Sequence, residues 1–278
     1  MRKIKIVADS SANIIELGEF SFGSAPLKII TTEKEFVDDE LLNVDEMVEF
    51  FDDYKGKSKT SCPNVTDWLK AFGESDDIFC ITITSGLSGS FSSALSAKEI
   101  YETENTGKRV FVIDSLSTGP EMLLIIEKLR EMILNGIPYE DVCNKIMQYK
   151  EETGLLFMLK SLKNFAANGR VSPAVAKIAG LLDIHIVGRA SKEGELEPLN
   201  KCRGESSSLK AILNHLTESG LKEGKVRIAH AGNSAGADRL KRLIHSKMVN
   251  CDVEISKLRG LCSYYAEKGG ILVGFEKK

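Results

Sequence analysis

An α/β fold in two domains is predicted, with a parallel-sheet βαβ domain over residues 1–153 and a smaller α+β domain over residues 154–278. Three observations lead there. In the first half of the chain, short apolar strand patterns alternate with helical periodicity, which is how βαβ units and a parallel sheet read in sequence. Strands in that half end in hydroxyl-bearing turns, Asp9-Ser10-Ser11, Thr84-Ser85 and Asp114-Ser115. Past Gly154 the pattern changes to strands joined by a hairpin signal, with fewer strand–helix alternations.

Taken in order, residues 4–8 form a short apolar strand, and residues 25–30 read as a second. Asn43-Val44-Asp45-Glu46 has capping-box spacing, followed by Val44, Met47, Val48 and Phe51 at helical intervals. Asn64, with Asp67 three residues on, starts a second helix leading into Trp68, Leu69 and Phe72. Residues 78–84 form a central strand, followed by a helix over 89–101, a strand over 109–113 and an apolar helix over 118–134. A helix over 139–152 and a strand over 155–159 come next. Asn168-Gly169-Arg170-Val171-Ser172-Pro173 then punctuates the chain before a short helix reaching Gly180. Residues 182–187 and 195–201 flank Ser191-Lys192-Glu193-Gly194 as a hairpin. A helix over 206–221, a strand over 225–230, a helix over 235–247 and strands over 253–257 and 271–275 complete the reading.

In parallel sheets ligands collect at the carboxyl ends of strands, and the three hydroxyl turns all lie at such ends. The most informative of them is Thr84-Ser85-Gly86-Leu87-Ser88-Gly89-Ser90, where a strand runs through a Ser/Gly turn straight into a helix. A helix start presents unpaired N–H groups and the positive end of the peptide dipoles, so it favours an anion. Lys59-Thr60-Ser61-Cys62-Pro63-Asn64 reads as a second hydroxyl-rich turn that supplies the opposite side of a carboxylate or phosphate site. The simpler reading is that these serines only cap helices. A cleft between the two domains is the expected place for the ligand.

Composition narrows the classes. Apolar residues make up 42% of the 278-residue chain and charged residues 28%, with a net charge of −3 and no basic run, which argues against a dedicated nucleic-acid binder. Six cysteines with no CxxC spacing read as scattered, mostly buried thiols of an intracellular chain, without a zinc ribbon or redox motif. The apolar run at the start is short for a signal peptide, and no stretch approaches the ~20 apolar residues of a membrane span. A cytoplasmic protein is expected. Asp38-Asp39-Glu40 and Asp52-Asp53 read as acidic pairs on solvated segments without calcium-loop spacing, so no metal is expected. Gly86-Leu87-Ser88-Gly89-Ser90 misses the G-x-S-x-G elbow at its fifth position, and His185, His215, His230 and His245 have no spacing that pairs one with Ser88. Neither GxxxxGK[ST] nor GxGxxG after a strand is present. The readings left open are a binding protein for an anionic small molecule and a serine-dependent hydrolase or transferase.

Beyond these local readings, the chain resembles the DegV family of bacterial fatty-acid-binding proteins. The residues that carry the likeness run almost end to end: Val7-Ala8-Asp9-Ser10-Ser11, Ala25-Pro26-Leu27, Thr60-Ser61-Cys62-Pro63 and the Ser85–Phe91 segment. They continue through Ile113-Asp114-Ser115, Leu162 to Gly169-Arg170-Val171-Ser172, Leu181-Leu182-Asp183-Ile184, Arg203-Gly204 and His230-Ala231-Gly232-Asn233. The resemblance implies a lipid pocket between or inside the domains that buries one long-chain fatty acid. It implies that Ser61 and Ser88 hold the carboxylate, with Thr60, Ser85 and Gly89 as neighbouring donors and Tyr265 where the family carries a histidine. Arg170 and Arg203 match family arginines at the ligand head or on a partner-facing surface. The implied protein has no catalytic residue or cofactor of its own and partners an ATP-dependent fatty acid kinase catalytic subunit.

Overall fold

The computed structural model describes residues 2–171 and 183–277. Three sheets organise them. The first is parallel throughout, in the order β2 (Phe22–Ala25), β1 (Ile4–Asp9), β6 (Asp77–Thr82), β7 (Arg109–Asp114). Every residue of β6 is buried, as expected of a central parallel strand covered on both faces. The second sheet is a small antiparallel one in the order β4 (Glu35–Val37), β3 (Lys28–Thr31), β5 (Ser58–Ser61). The third has six strands, in the order β10 (Leu196–Arg203), β9 (Ile184–Ala190), β8 (Thr153–Leu159), β13 (Ile271–Glu276), β11 (Gly224–His230), β12 (Cys251–Lys257). Only β11 and β12 pair in parallel there.

Helices fill the space between and around the sheets. They are α1 (Val44–Asp53), α2 (Val65–Phe72), α3 (Ser90–Glu104), α4 (Pro120–Leu134), α5 (Tyr139–Glu151), α6 (Lys163–Ala167), α7 (Glu205–Glu218), α8 (Ser234–Lys247) and α9 (Gly260–Ala266). Local chemistry starts several of them. Asn64 and Asp67 make a reciprocal capping box at α2, and Pro120 follows Gly119 at the first turn of α4, where its missing N–H costs nothing. At α1 the Asn43 side chain accepts from Glu46 N, but Glu46 answers the Asn43 side chain rather than its backbone.

The helix α4 joins the two large sheets. Its Met122, Leu124, Ile125, Ile126 and Leu129 share one core with Ile6, Ala8, Phe79 and Ile81 of the parallel sheet. On the other side Glu127 pairs with Arg227 of β11 at 2.8 Å. The start of α4 lies so close to β13 that a Cβ on Gly274 would sit 2.5 Å from Glu121 N and from the Pro120 carbonyl. Only glycine fits there.

Several expectations are corrected. The strand read over 25–30 is two strands in two different sheets, β2 and β3, parted at Pro26, which lacks the N–H a continuous ladder needs. The hydroxyl-rich turn at Lys59–Ser61 is strand β5, paired antiparallel with β3. Asp38 is not solvated: it is fully buried and accepts from Gly260 N at 3.0 Å and Leu261 N at 2.9 Å, which fixes the start of α9. Burial pushes its carboxyl above the ordinary value, and those main-chain donors with Arg259 pull it back. The elements α6, α9 and β4 were not anticipated. The helix expected to reach Gly180, together with Ser172, Pro173, Leu181 and Leu182, lies outside the described residues.

Gly274→Ala should lower the unfolding free energy by about 1–3 kcal/mol through overpacking against α4. Denaturant titration checks this, and an unchanged midpoint would mean that α4 and β13 are not in such close contact.

Candidate functional site

The carboxyl ends of β1, β6 and β7 meet at one edge, and Asp9 stands there as the last residue of β1. Asp9 is 1% exposed. One carboxylate oxygen accepts from Ser11 N at 3.2 Å and from the Ser11 hydroxyl; the other accepts from Ile83 N at 2.8 Å and Ser90 Oγ at 2.6 Å. Burial pushes the Asp9 carboxyl above its ordinary value, and these four donors act against that push. Their effect on structure is to tie the first residue of α3 to the end of β1. The sequence offered only an acid before two serines at a strand end, a signal read as one edge of an anion site. Asp9 instead braces the Ser85–Ser90 turn from beneath.

Two backbone segments face each other above that brace. A Cβ on Gly89 would meet Cys62 Sγ at 3.4 Å, and Ser93 Oγ of α3 donates to the Pro63 carbonyl at 2.8 Å. The end of β5 and the start of α3 are therefore adjacent, as the two hydroxyl segments were expected to be. Ser88 Oγ accepts from Ser90 N at 3.2 Å, an acceptor role that keeps its own O–H as a donor. Ser61 Oγ donates to the Cys62 carbonyl at 3.1 Å, a local bond that its single proton gives up when it donates to a ligand.

The third side comes from the second half of the chain. Tyr265 on α9 shares a 2.8 Å hydrogen bond with Thr60 Oγ1, and its ring lies 4.5 Å from that of Phe165. Between them the two hydroxyls have two protons, and their mutual bond uses one. Asn168 accepts from Thr60 N at 3.0 Å and donates to the neighbouring Tyr264 hydroxyl at 3.0 Å, so the loop after α6 is sewn to β5. Arg170 Nε donates to the Leu87 carbonyl at 2.8 Å, placing a guanidinium at the rim.

Thr60, Ser61, Ser88, Gly89, Arg170 and Tyr265 all line one cavity of about 330 Å³. Its remaining walls are largely apolar: Leu27 and Ile83 from the first half, and Leu155, Phe157, Leu159, Leu196, Leu261 and Leu272 from the second. It falls at the low end of the size range for ligand pockets, and it has the usual apolar body with a few grouped polar residues. Ser85 does not belong to it; it is exposed, and its N–H goes to Asp114 Oδ1 at 3.1 Å. Arg203 also lies elsewhere, exposed at the end of β10. No histidine is among the lining residues, so Ser88 has no imidazole base beside it there. Cys62, half-buried in the cavity wall, has its thiol pushed up by burial, which disfavours the thiolate. Among the described residues no group of three His, Cys, Asp or Glu could hold a metal ion, and no helix is long and apolar enough to cross a membrane.

Comparison with known proteins places this architecture. The DegV family model matches residues 3–278. The chain belongs to the DegV family. A DegV domain-containing protein of Streptococcus pneumoniae is 40% identical over 276 residues, covering 98% of each chain. A DegV family protein from Eubacterium eligens, crystallised loaded with heptadecanoic acid, superposes with a TM-score of 0.97 at 43% identity, covering 99% of this chain and 100% of that one. The Streptococcus pneumoniae fatty acid kinase (Fak) B3 protein, loaded with linoleic acid, superposes with a TM-score of 0.97 at 39% identity over the same shares of each chain. The mixed α/β architecture is thus that of DegV structures.

Asp9→Asn should destabilise this DegV chain by about 1–3 kcal/mol. Each carboxylate oxygen faces a fixed main-chain N–H, so either orientation of the amide turns an NH₂ against a donor. Unfolding titrations check the loss, and an asparagine variant as stable as the parent would contradict the brace.

Proposed function

We propose that this chain binds one long-chain fatty acid without catalysing a reaction on it, and presents its carboxylate to a separate ATP-dependent kinase subunit that forms the acyl phosphate. The observation that carries this reading is a single, largely apolar cavity whose wall brings together Ser61, Ser88, Gly89, Thr60, Tyr265 and Arg170, with Thr84, Ser117, Thr118 and Glu195 as further polar lining residues. The heptadecanoic acid and linoleic acid held by two DegV proteins of nearly the same shape support the ligand class. The kinase name attached to the second of them supports the partner.

Physical chemistry divides the work between the two parts. Each methylene taken out of water contributes about 0.8 kcal/mol, so affinity comes mainly from the apolar body. The Ser88 and Ser61 hydroxyls and the start of α3, with the charge of Arg170 at the rim, orient the head group. Tyr265 takes the place of the histidine that the family resemblance implies. It donates a hydrogen bond to a carboxylate but brings no positive charge at neutral pH, which leaves Arg170 as the cation among the described lining residues. Gly89 is exposed and Ser88 half-buried, so a bound carboxylate is reachable from outside. Arg203, away from the cavity, is assigned to the surface that meets the kinase. The acyl carboxylate oxygen would attack the terminal phosphorus of ATP held by that partner, with ADP leaving. A partner that uses ATP fits a cytoplasmic location.

Denaturing extraction of protein purified from a bacterial host, followed by mass spectrometry, should release fatty acid in near-equal molar amount. Lipid-free protein with no measurable affinity for any fatty acid would refute the reading. The double variant Ser61→Ala/Ser88→Ala should keep its fold and lose affinity by about tenfold to a hundredfold, the worth of hydrogen bonds to a charged group. Unchanged affinity together with unchanged acyl phosphate formation would remove the two serines from the site.

A further inference from the structure

We infer that Leu155, with Ala190 beside it, is the stop that sets how long an acyl chain this cavity accepts. The inference rests on the fatty-acid reading and adds to it the residue that selects among substrates. Two cavities meet at this point. Leu155 and Ala190 line the apolar cavity, and both also line a second cavity of about 610 Å³. Leu156 pairs with Arg189 in the antiparallel β8–β9 ladder, which puts Leu155 and Ala190 opposite each other at its end.

The second chamber differs in kind from the first. Glu121, Lys150 and Thr153 lie in its wall, all buried. Glu121 accepts from Thr153 Oγ1 at 2.8 Å, and Lys150 Nζ donates to the Asp114 carbonyl at 3.1 Å. A methyl end pushed past Leu155 would bury its last carbons against charged groups that lose solvation by its arrival. The side chain of Leu155 therefore ends the apolar run and divides it from a polar space.

Its place along β8 fits a tail-end role. Leu155, Phe157 and Leu159 alternate onto the cavity face of β8. Leu159 is the end from which the chain continues to α6 and on to Arg170 at the rim. Leu155 lies four residues back along the strand, roughly 13 Å away at about 3.3 Å per residue.

The test is a competition series of saturated fatty acids from lauric to behenic acid, run on the full chain and on variants at this wall. Leu155→Ala should move the preferred length upward, each newly accommodated methylene gaining about fourfold in affinity. Ala190→Leu should move it downward, and it removes nothing from the core, so it tests the inference even if Leu155→Ala fails to fold. Opposite shifts in the two variants, or a downward shift in Ala190→Leu alone where the other does not fold, support the stop. A parent that binds fatty acids, with an unchanged length profile in whichever variants fold, overturns the stop and leaves the fatty-acid reading standing. A parent that binds none of the series overturns both.

Discussion

A buried carboxylate holds the site together. Asp9 takes hydrogen bonds from Ser11, Ile83 and Ser90 with almost no exposure to solvent, and in doing so fixes where α3 begins. A helix start is useful to a ligand only if its position is certain, because hydrogen bonds weaken steeply with misalignment. Asp38 does the same for α9 by accepting from Gly260 and Leu261, and α9 carries Tyr265 to Thr60. The polar end of the cavity thus depends on two acids that do not touch it. Each is costly to bury, and each is offset by several donors aimed at it.

The apolar end depends on how two sheets share helices and loops. The helix α4 fills the gap between the parallel sheet and the six-stranded sheet, while β8 and β13 turn Leu155, Phe157, Leu159 and Leu272 toward the cavity. The hairpin of β9 and β10 closes over the first half: Thr84 Oγ1 donates to the Gly194 carbonyl at 2.9 Å, and a Cβ on Gly86 would strike the Glu193 carbonyl at 2.8 Å. Neither half of the chain encloses this space without the other. This arrangement suits a ligand with one charged end and a long uncharged body.

Much of this was legible in the residues, for identifiable reasons. Regular alternation exposed the parallel sheet, and the Ser191–Gly194 punctuation exposed the β9–β10 hairpin, because both signals are local. The two hydroxyl segments were expected to meet, and Cys62 against Gly89 is where they do. What escaped was set by tertiary contact. Pro26 split one apolar run between two sheets. Asp38 read as solvated because it stands in a run of acids, and only its distant donors on α9 reveal otherwise. The seven residues of α9, among them Gly260, Cys262, Ser263 and two tyrosines, carry little helix propensity and owe their helix to Asp38 and the packing of Phe51 on Tyr264, with ring centroids 5.0 Å apart. Ser85 and Arg203 illustrate the converse. They stand in segments on which the resemblance to DegV proteins rests, and the fold turns Ser85 to the outside and puts Arg203 at the end of an edge strand, away from the cavity.

In the proposed function one cavity holds an acid head group between β5 and the start of α3, with the tail among β8 and β13. A crystal structure of the chain with a bound saturated fatty acid tests it most directly. The account requires carboxylate oxygens within hydrogen-bond distance of Ser88 and Ser61, and methylenes running past Phe157 toward Leu155. Density for the ligand in any other cavity, or with its methyl end at Ser88, would contradict it.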